Sequence, residues 1–215
     1  MTPAHATSTK FSIMLDPAGD AKNTGRKLDD SFERGVTLQC AEKLKELLEK
    51  QHPHIRVVLT RFPGESLQPL QNANFANRLG TDLYVNINFY HETATKPNLF
   101  LYTFSYDETP VSQSLGAGWF VAQMPPTSFC AYDKAHLTSS ATTKNWAQTM
   151  SKALDTDTYK RQFTLHGPFH LPFKPLIGIK APAVAFEIGL KSKDDWTAYV
   201  NVLAEALNPI ILAAR

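Results

Sequence analysis

Cysteine is nearly absent from this chain: there are two, Cys40 and Cys130, in 215 residues. That excludes the dense disulfide framework of small secreted domains, and no Cys/His pattern has zinc-finger spacing. Cys40 falls on an apolar helix face and reads as a buried thiol, with a Cys40–Cys130 bridge as the alternative. Long apolar runs are missing as well. No stretch approaches the roughly 20 residues of a membrane-spanning helix, so no span is expected. Neither charge sign dominates: 22 Lys and Arg stand against 20 Asp and Glu, interspersed along the chain. Without a basic stripe there is no electrostatic footprint for nucleic acid. Ala4-His5-Ala6 has the small-x-small look of a signal-cleavage site, but no apolar core precedes it, so no signal peptide is expected in the chain.

What is present is enough apolar material, 43% of residues, for one sizeable core. Residues 1–9 are polar and read as a flexible tail. The organising stretch is residues 11–20, FSIMLDPAGD: an apolar run ends in Asp16-Pro17 and opens into a small-residue turn. In an α/β protein, ligands bind where a strand ends and its loop crosses the sheet edge. Short β-rich runs at 10–16, 55–60, 82–89, 98–104, 176–179 and 183–189 read as strands. In the third of these, Asn86 and Asn88 fall on one face by the two-residue period. A long helix capped by Asp29 or Asp30 carries Val36, Cys40, Leu44 and Leu48 at four-residue spacing, one stripe for packing on a sheet. Further helices are expected at 66–79, closed by Gly80, at 139–154, and at 194–215, the last kinked by Pro209. Residues 156–175 read as a loop. Strands alternating with helices predict a single α/β domain over 10–215, with a mainly parallel twisted sheet and helices on both faces. Residues 105–138, rich in aromatics, glycine and proline, read as an insertion: a lid or contact surface, or else a small packed subdomain.

Five stretches, in this order, resemble the zinc-dependent N-acetylmuramoyl-L-alanine amidases of bacterial cell walls. Ile13-Met14-Leu15-Asp16-Pro17 is similar to that family's opening strand. Residues 31–38 with 43–48 resemble its first helix, and Val58-Leu59-Thr60-Arg61 its strand ending in a Thr-Arg pair. Phe75-Ala76-Asn77 through Asn88 resembles the passage into its metal-bearing strand. Residues 182–189, PAVAFEIG, resemble the closing strand with its catalytic glutamate. The resemblance implies an amidase-like fold and a zinc ion held by His, Glu and His, with a fourth position open for water. The metal acidifies that water and polarises the amide, while a further glutamate moves the proton.

Carried over residue by residue, the resemblance is incomplete. The glutamate ligand matches Glu33 and the catalytic glutamate matches Glu187. The first histidine position holds Gly19 and the second holds Asn88; Asn72 stands where an arginine is expected. Glycine has no donor side chain, and a neutral amide oxygen is a poor zinc ligand beside imidazole. The resemblance with these losses implies a catalytically inactive, pseudoenzyme-like module, with no metal cofactor, that binds a peptidoglycan fragment or a protein partner. The alternative is an active zinc-dependent amidase with rearranged ligands, drawing on Asp20 and His91 beside Glu33 and Glu187. His166 and His170 are further candidates of the same kind. Glu33 and Glu187 also have structural readings, as a charge at a helix N-terminus and as a hydrogen-bonded strand-end carboxylate, or together as oxygen donors to a hard cation. Family analogy places the protein in the cell envelope or periplasm, or outside the cell.

Overall fold

The computed structural model describes residues 10–68, 70–106 and 131–214. The 1–9 tail, Cys130 and most of the expected insertion lie outside these residues. Among them a six-stranded sheet forms the centre. Its strands are β1 (Phe11–Pro17), β4 (Ile55–Leu59), β5 (Leu83–His91), β6 (Asn98–Phe104), β7 (Thr164–Leu171) and β8 (Ala183–Leu190). In space they run β4-β1-β5-β8-β6-β7. The first four are mutually parallel; β6 is antiparallel to β8, and edge strand β7 is parallel to β6. The sheet is therefore mainly parallel, as the alternation of strands and helices predicts.

The period of two sorts side chains onto the two faces. Ile13, Leu15, Val85, Ile87, Val184 and Phe186 join the main core. Helices α1 (Glu33–Gln51), α3 (Ser140–Leu154) and α5 (Trp196–Ala213) contribute to that core. Met14, Tyr84 and Ala185 belong to a smaller core with Ala73 and Ala76 of α2 (Gln71–Leu79). Helices thus cover both faces. The expected stripe of α1 is buried throughout, and Cys40 is a free, fully buried thiol whose pKa burial pushes up to about 12.

Several local expectations are corrected. Helix α1 starts at Glu33 rather than after Asp29 or Asp30. Those aspartates form the turn of a small antiparallel ladder, β2 (Lys27–Leu28) with β3 (Ser31–Phe32), and Asp29 sits at φ +53°. Helix α2 begins at Gln71 rather than 66, because Leu70 is left-handed at φ +60°. Gly80 does close it in the left-handed conformation. The supposed loop 156–175 holds a short helix, α4 (Asp157–Gln162), capped by the Thr156 side chain, followed by strand β7. Gly167 and Pro168 hide that strand from a sequence reading; proline is tolerated there because β7 lies at the sheet edge. Residues 176–179 are not a strand: a 3-10 turn, Lys174–Leu176, leads to Gly178 at φ +82°. Helix α5 runs through Pro209 to Ala213.

Candidate functional site

The sheet's two-residue period sends Asp16, Asn86, Asn88 and Glu187 to the face that carries α2, near the carboxyl ends of β1, β5 and β8. Register holds them in a row: Asp16 pairs with Asn86, and Asn88 with Glu187. Asp16 is the anchor. One carboxylate oxygen accepts from Thr60 Oγ1 at 2.8 Å and Asn72 Nδ2 at 2.7 Å; the other accepts from Asn86 Nδ2 at 2.8 Å. Burial pushes the Asp16 carboxyl up, against the opposing pull of Tyr84, Thr60 and Asn86 and of the Arg61 charge. Asn86 Oδ1 in turn accepts from Asn88 Nδ2 at 2.5 Å, and Asn88 Nδ2 also reaches the Phe186 carbonyl at 3.2 Å. The Asn88 nitrogen is committed to the protein.

The turn after β1 is tied down by the Thr60-Arg61 pair. Arg61, buried, donates to the carbonyls of Pro17, Ala18 and Arg34. It joins the turn to the first turn of α1. Gly19 lies in that turn at φ +78°, and a Cβ built there would meet Arg34 Cβ at 2.8 Å and Arg34 Cα at 3.0 Å. The position accepts a hydrogen atom and little else. Asp20 follows, buried, with its oxygens taken by the Lys22 and Asn23 amides and by Asn23 Nδ2. Burial alone would raise its pKa; the Asn23 and Lys22 hydrogen bonds outweigh that and leave it lowered. Gly19, Asp20 and Asn88 line one open cavity of about 420 Å³, together with Asp16, Asn72, Asn86 and, on the far wall, Leu70, Lys174 and Ile177.

Glu33 and Glu187 do not line that cavity; they are joined through Arg26. Glu33, the first residue of α1, is 4% exposed. Its Oε1 accepts from the Phe89 amide at 2.9 Å and its Oε2 from the Arg26 amide at 3.0 Å, while its own amide donates to the Arg26 carbonyl. Burial raises its pKa, the two amides and the Arg26 charge lower it, and the Glu187 charge raises it again, leaving it above the ordinary carboxylate value. Gly25, at φ +73°, lies against this carboxylate so closely that a Cβ would fall 2.7 Å from Oε2. Glu187 accepts from Arg26 Nη2 at 2.5 Å and from the Tyr102 hydroxyl at 3.0 Å. A further buried carboxylate, Glu92, accepts from the Ala94 amide, Tyr90 OH and Asn98 Nδ2, and those bonds hold its pKa down to about 2.

The remaining candidates sit apart. His91 is half exposed on the opposite strand face from Asn88, with Nδ1 3.6 Å from Asp29. His166 stacks on Phe100 and bonds Asn98 Oδ1, and His170 bonds Thr103. Among the described residues no three His, Cys, Asp or Glu side chains converge as a metal-binding group. Sequence reasoning found the Asn86/Asn88 face but missed Arg26, Tyr102 and the role of Thr60-Arg61. The Thr-Arg pair directly after a strand was a usable signal; Arg26 offered none.

The architecture defines the class: an α/β domain with a cleft at the carboxyl ends of its central parallel strands. The N-acetylmuramoyl-L-alanine amidase family model matches residues 13–204, and the chain belongs to that family. The amidase CwlM of Bacillus licheniformis is 29% identical over 76 residues, 35% of this chain and 30% of CwlM, so the chain matches under a third of that relative's length. Among solved structures, the catalytic domain of the amidase CwlV from Bacillus (Paenibacillus) polymyxa superposes with a TM-score of 0.64 at 16% identity, covering 93% of this chain and 97% of that one. The CwlD amidase of Clostridioides difficile, solved with the GerS lipoprotein, gives 0.60 at 16% identity, covering 96% and 100%.

Proposed function

We propose that this chain is a non-catalytic member of the amidase family, a module of the cell envelope that binds a peptidoglycan fragment in its cleft without cutting it. The observation that carries the reading is the backbone at Gly19. At the first histidine position the chain has a left-handed turn pressed against Arg34, with no room for any side chain. The rest of the donor set agrees. Asn88 offers a metal only a neutral amide oxygen, a poor zinc ligand beside imidazole, and its Nδ2 is held by Asn86 and the Phe186 carbonyl. Both oxygens of Glu33 accept main-chain amides behind Gly25. These residues do not fit a tetrahedral zinc with an open position, and no reaction step is assigned to one. The cleft itself remains: a cavity of about 420 Å³ lined by the amides of Asn72, Asn86 and Asn88, the carboxylates of Asp16 and Asp20, Lys174 and an apolar wall, the mixture of apolar surface and a few polar groups that ligand pockets show.

The rearranged zinc enzyme draws less support, because His91 pairs with Asp29 and Asp20 is spent on its own turn. A protein partner is the second binding reading. Its motivation is the CwlD amidase, which was solved in complex with GerS.

The test is metal analysis of the purified protein combined with muropeptide binding and cleavage. The expected result is no stoichiometric zinc, no released peptide and saturable muropeptide binding. Stoichiometric zinc that disappears in Glu33→Ala, or released peptide, would overturn the non-catalytic reading. Zinc-free protein with no muropeptide affinity would overturn the peptidoglycan assignment in favour of a protein partner.

A further inference from the structure

Two carboxylates at the family's ligand and catalytic positions survive here, one buried and one largely so, and such charges need a compensating cation. Arg26 touches both. Its main-chain amide bonds Glu33 Oε2 at 3.0 Å, and its Nη2 bonds Glu187 Oε1 at 2.5 Å. The other guanidinium nitrogen lies 3.5 Å from the Phe89 carbonyl, whose own amide holds the second oxygen of Glu33. The guanidinium carbon sits 5.8 Å from the Tyr90 ring centroid, within cation–π range. The Tyr102 hydroxyl completes the shell of Glu187. Each oxygen of Glu33 and of Glu187 thus accepts a hydrogen bond, Glu33 from main-chain amides alone, and among the described residues the cationic side chain paired with Glu187 is Arg26.

We propose that Arg26 is this chain's built-in substitute for the family's metal: its guanidinium supplies the positive charge that Glu187 requires, while its main-chain amide holds Glu33. This rests on the non-catalytic reading and deepens it. A guanidinium neutralises and orients carboxylates through a planar fork of donors. It has no open coordination position, so it cannot acidify a water as a metal does. The exchange balances the charge of Glu187 and gives up hydrolytic chemistry. Gly25 is part of the device: its lack of a side chain lets the Arg26 amide and carbonyl close over Glu33 from both sides.

The experiment is a double-mutant cycle in thermal unfolding with Arg26→Ala, Glu187→Gln and the pair, each measured with and without millimolar calcium, alongside zinc analysis of the wild type. Arg26→Ala should lower Tm by roughly 3–6 °C. Adding Glu187→Gln to it should recover at least half of that loss, because the orphaned charge is gone. Calcium, a hard cation suited to carboxylate oxygens, should raise the Tm of Arg26→Ala and leave the wild type and the double variant unmoved. Additive effects with no calcium response, in a wild type free of zinc, would overturn the substitution and leave the non-catalytic reading standing. Stoichiometric zinc in the wild type would overturn both. If Arg26→Ala does not fold, a folded double variant supports the proposal. If neither folds, Arg26→Lys decides: a Tm within about 3 °C of wild type supports the charge role, and failure to fold overturns it.

Discussion

At Gly19 the backbone is left-handed, at φ +78°. The resemblance to the amidases leads one to expect a histidine at this position, which on sequence grounds a reverse substitution would supply. The structure adds Arg34 Cβ at 2.8 Å from where the new Cβ would stand. Gly19→His therefore costs stability through a strained left-handed backbone and a clash with the first turn of α1. We expect a loss of about 2–3 kcal/mol in urea unfolding, and no zinc uptake by Gly19→His/Asn88→His. Stoichiometric zinc in a well-folded double variant would show that the turn can reopen. The same scale separates the two retained glutamates. Both were legible as residues, but their partners were not. Glu33 faces main-chain amides, and Glu187 an ion pair and a tyrosine.

Among the elements, those with a strong local period were the ones legible in advance. The α1 stripe, the apolar strands β1, β4, β5, β6 and β8, and α5 all carry their pattern within a few residues. Helix α5 has the most apolar of these faces, with Leu203, Leu207 and Ile211 fully buried. Leu207→Ala leaves a cavity in the main core, where α5 packs against α1 and α3, and should cost about 2–5 kcal/mol; a shift of the urea midpoint at unchanged slope would report it. The elements that were missed are the ones whose state is set by neighbours. Strand β7 exists because β6 offers it an edge, despite Gly167 and Pro168. The start of α1 was misjudged because the acidic turn at Asp29-Asp30 belongs to the β2–β3 ladder, with Asp29 accepting from the Lys193 amide across the fold and Asp30 paired with Lys193 Nζ.

In the whole molecule, the carboxylates at the sheet's carboxyl edge tie stability to pH. Glu92 is the clearest, buried and held at about 2 by the Ala94 amide, then the Tyr90 hydroxyl and Asn98. Its folded pKa lies below the unfolded value, so its contribution is present above pH ~4.5 and is lost as pH falls toward 2. At neutral pH, Glu92→Gln should unfold more easily than wild type, by on the order of 2 kcal/mol. That gap should narrow steadily as pH falls from about 5.5 to 3. A gap independent of pH would show that Glu92 acts only through packing.

The fold class, the buried stripes and the shared face of Asn86 and Asn88 follow from residue type and spacing, because periodicity and side-chain direction are local properties of helices and strands. The Asn88–Asn86 bond joins residues two apart on one strand. The charge pairing of the cleft is of another kind. Arg26 and Glu187 are 161 residues apart, and nothing near either one names the other. Their meeting depends on β8 being laid beside β5 and on the loop before α1 closing over Glu33, which is an outcome of packing the entire sheet. The same packing presses Gly19 against Arg34.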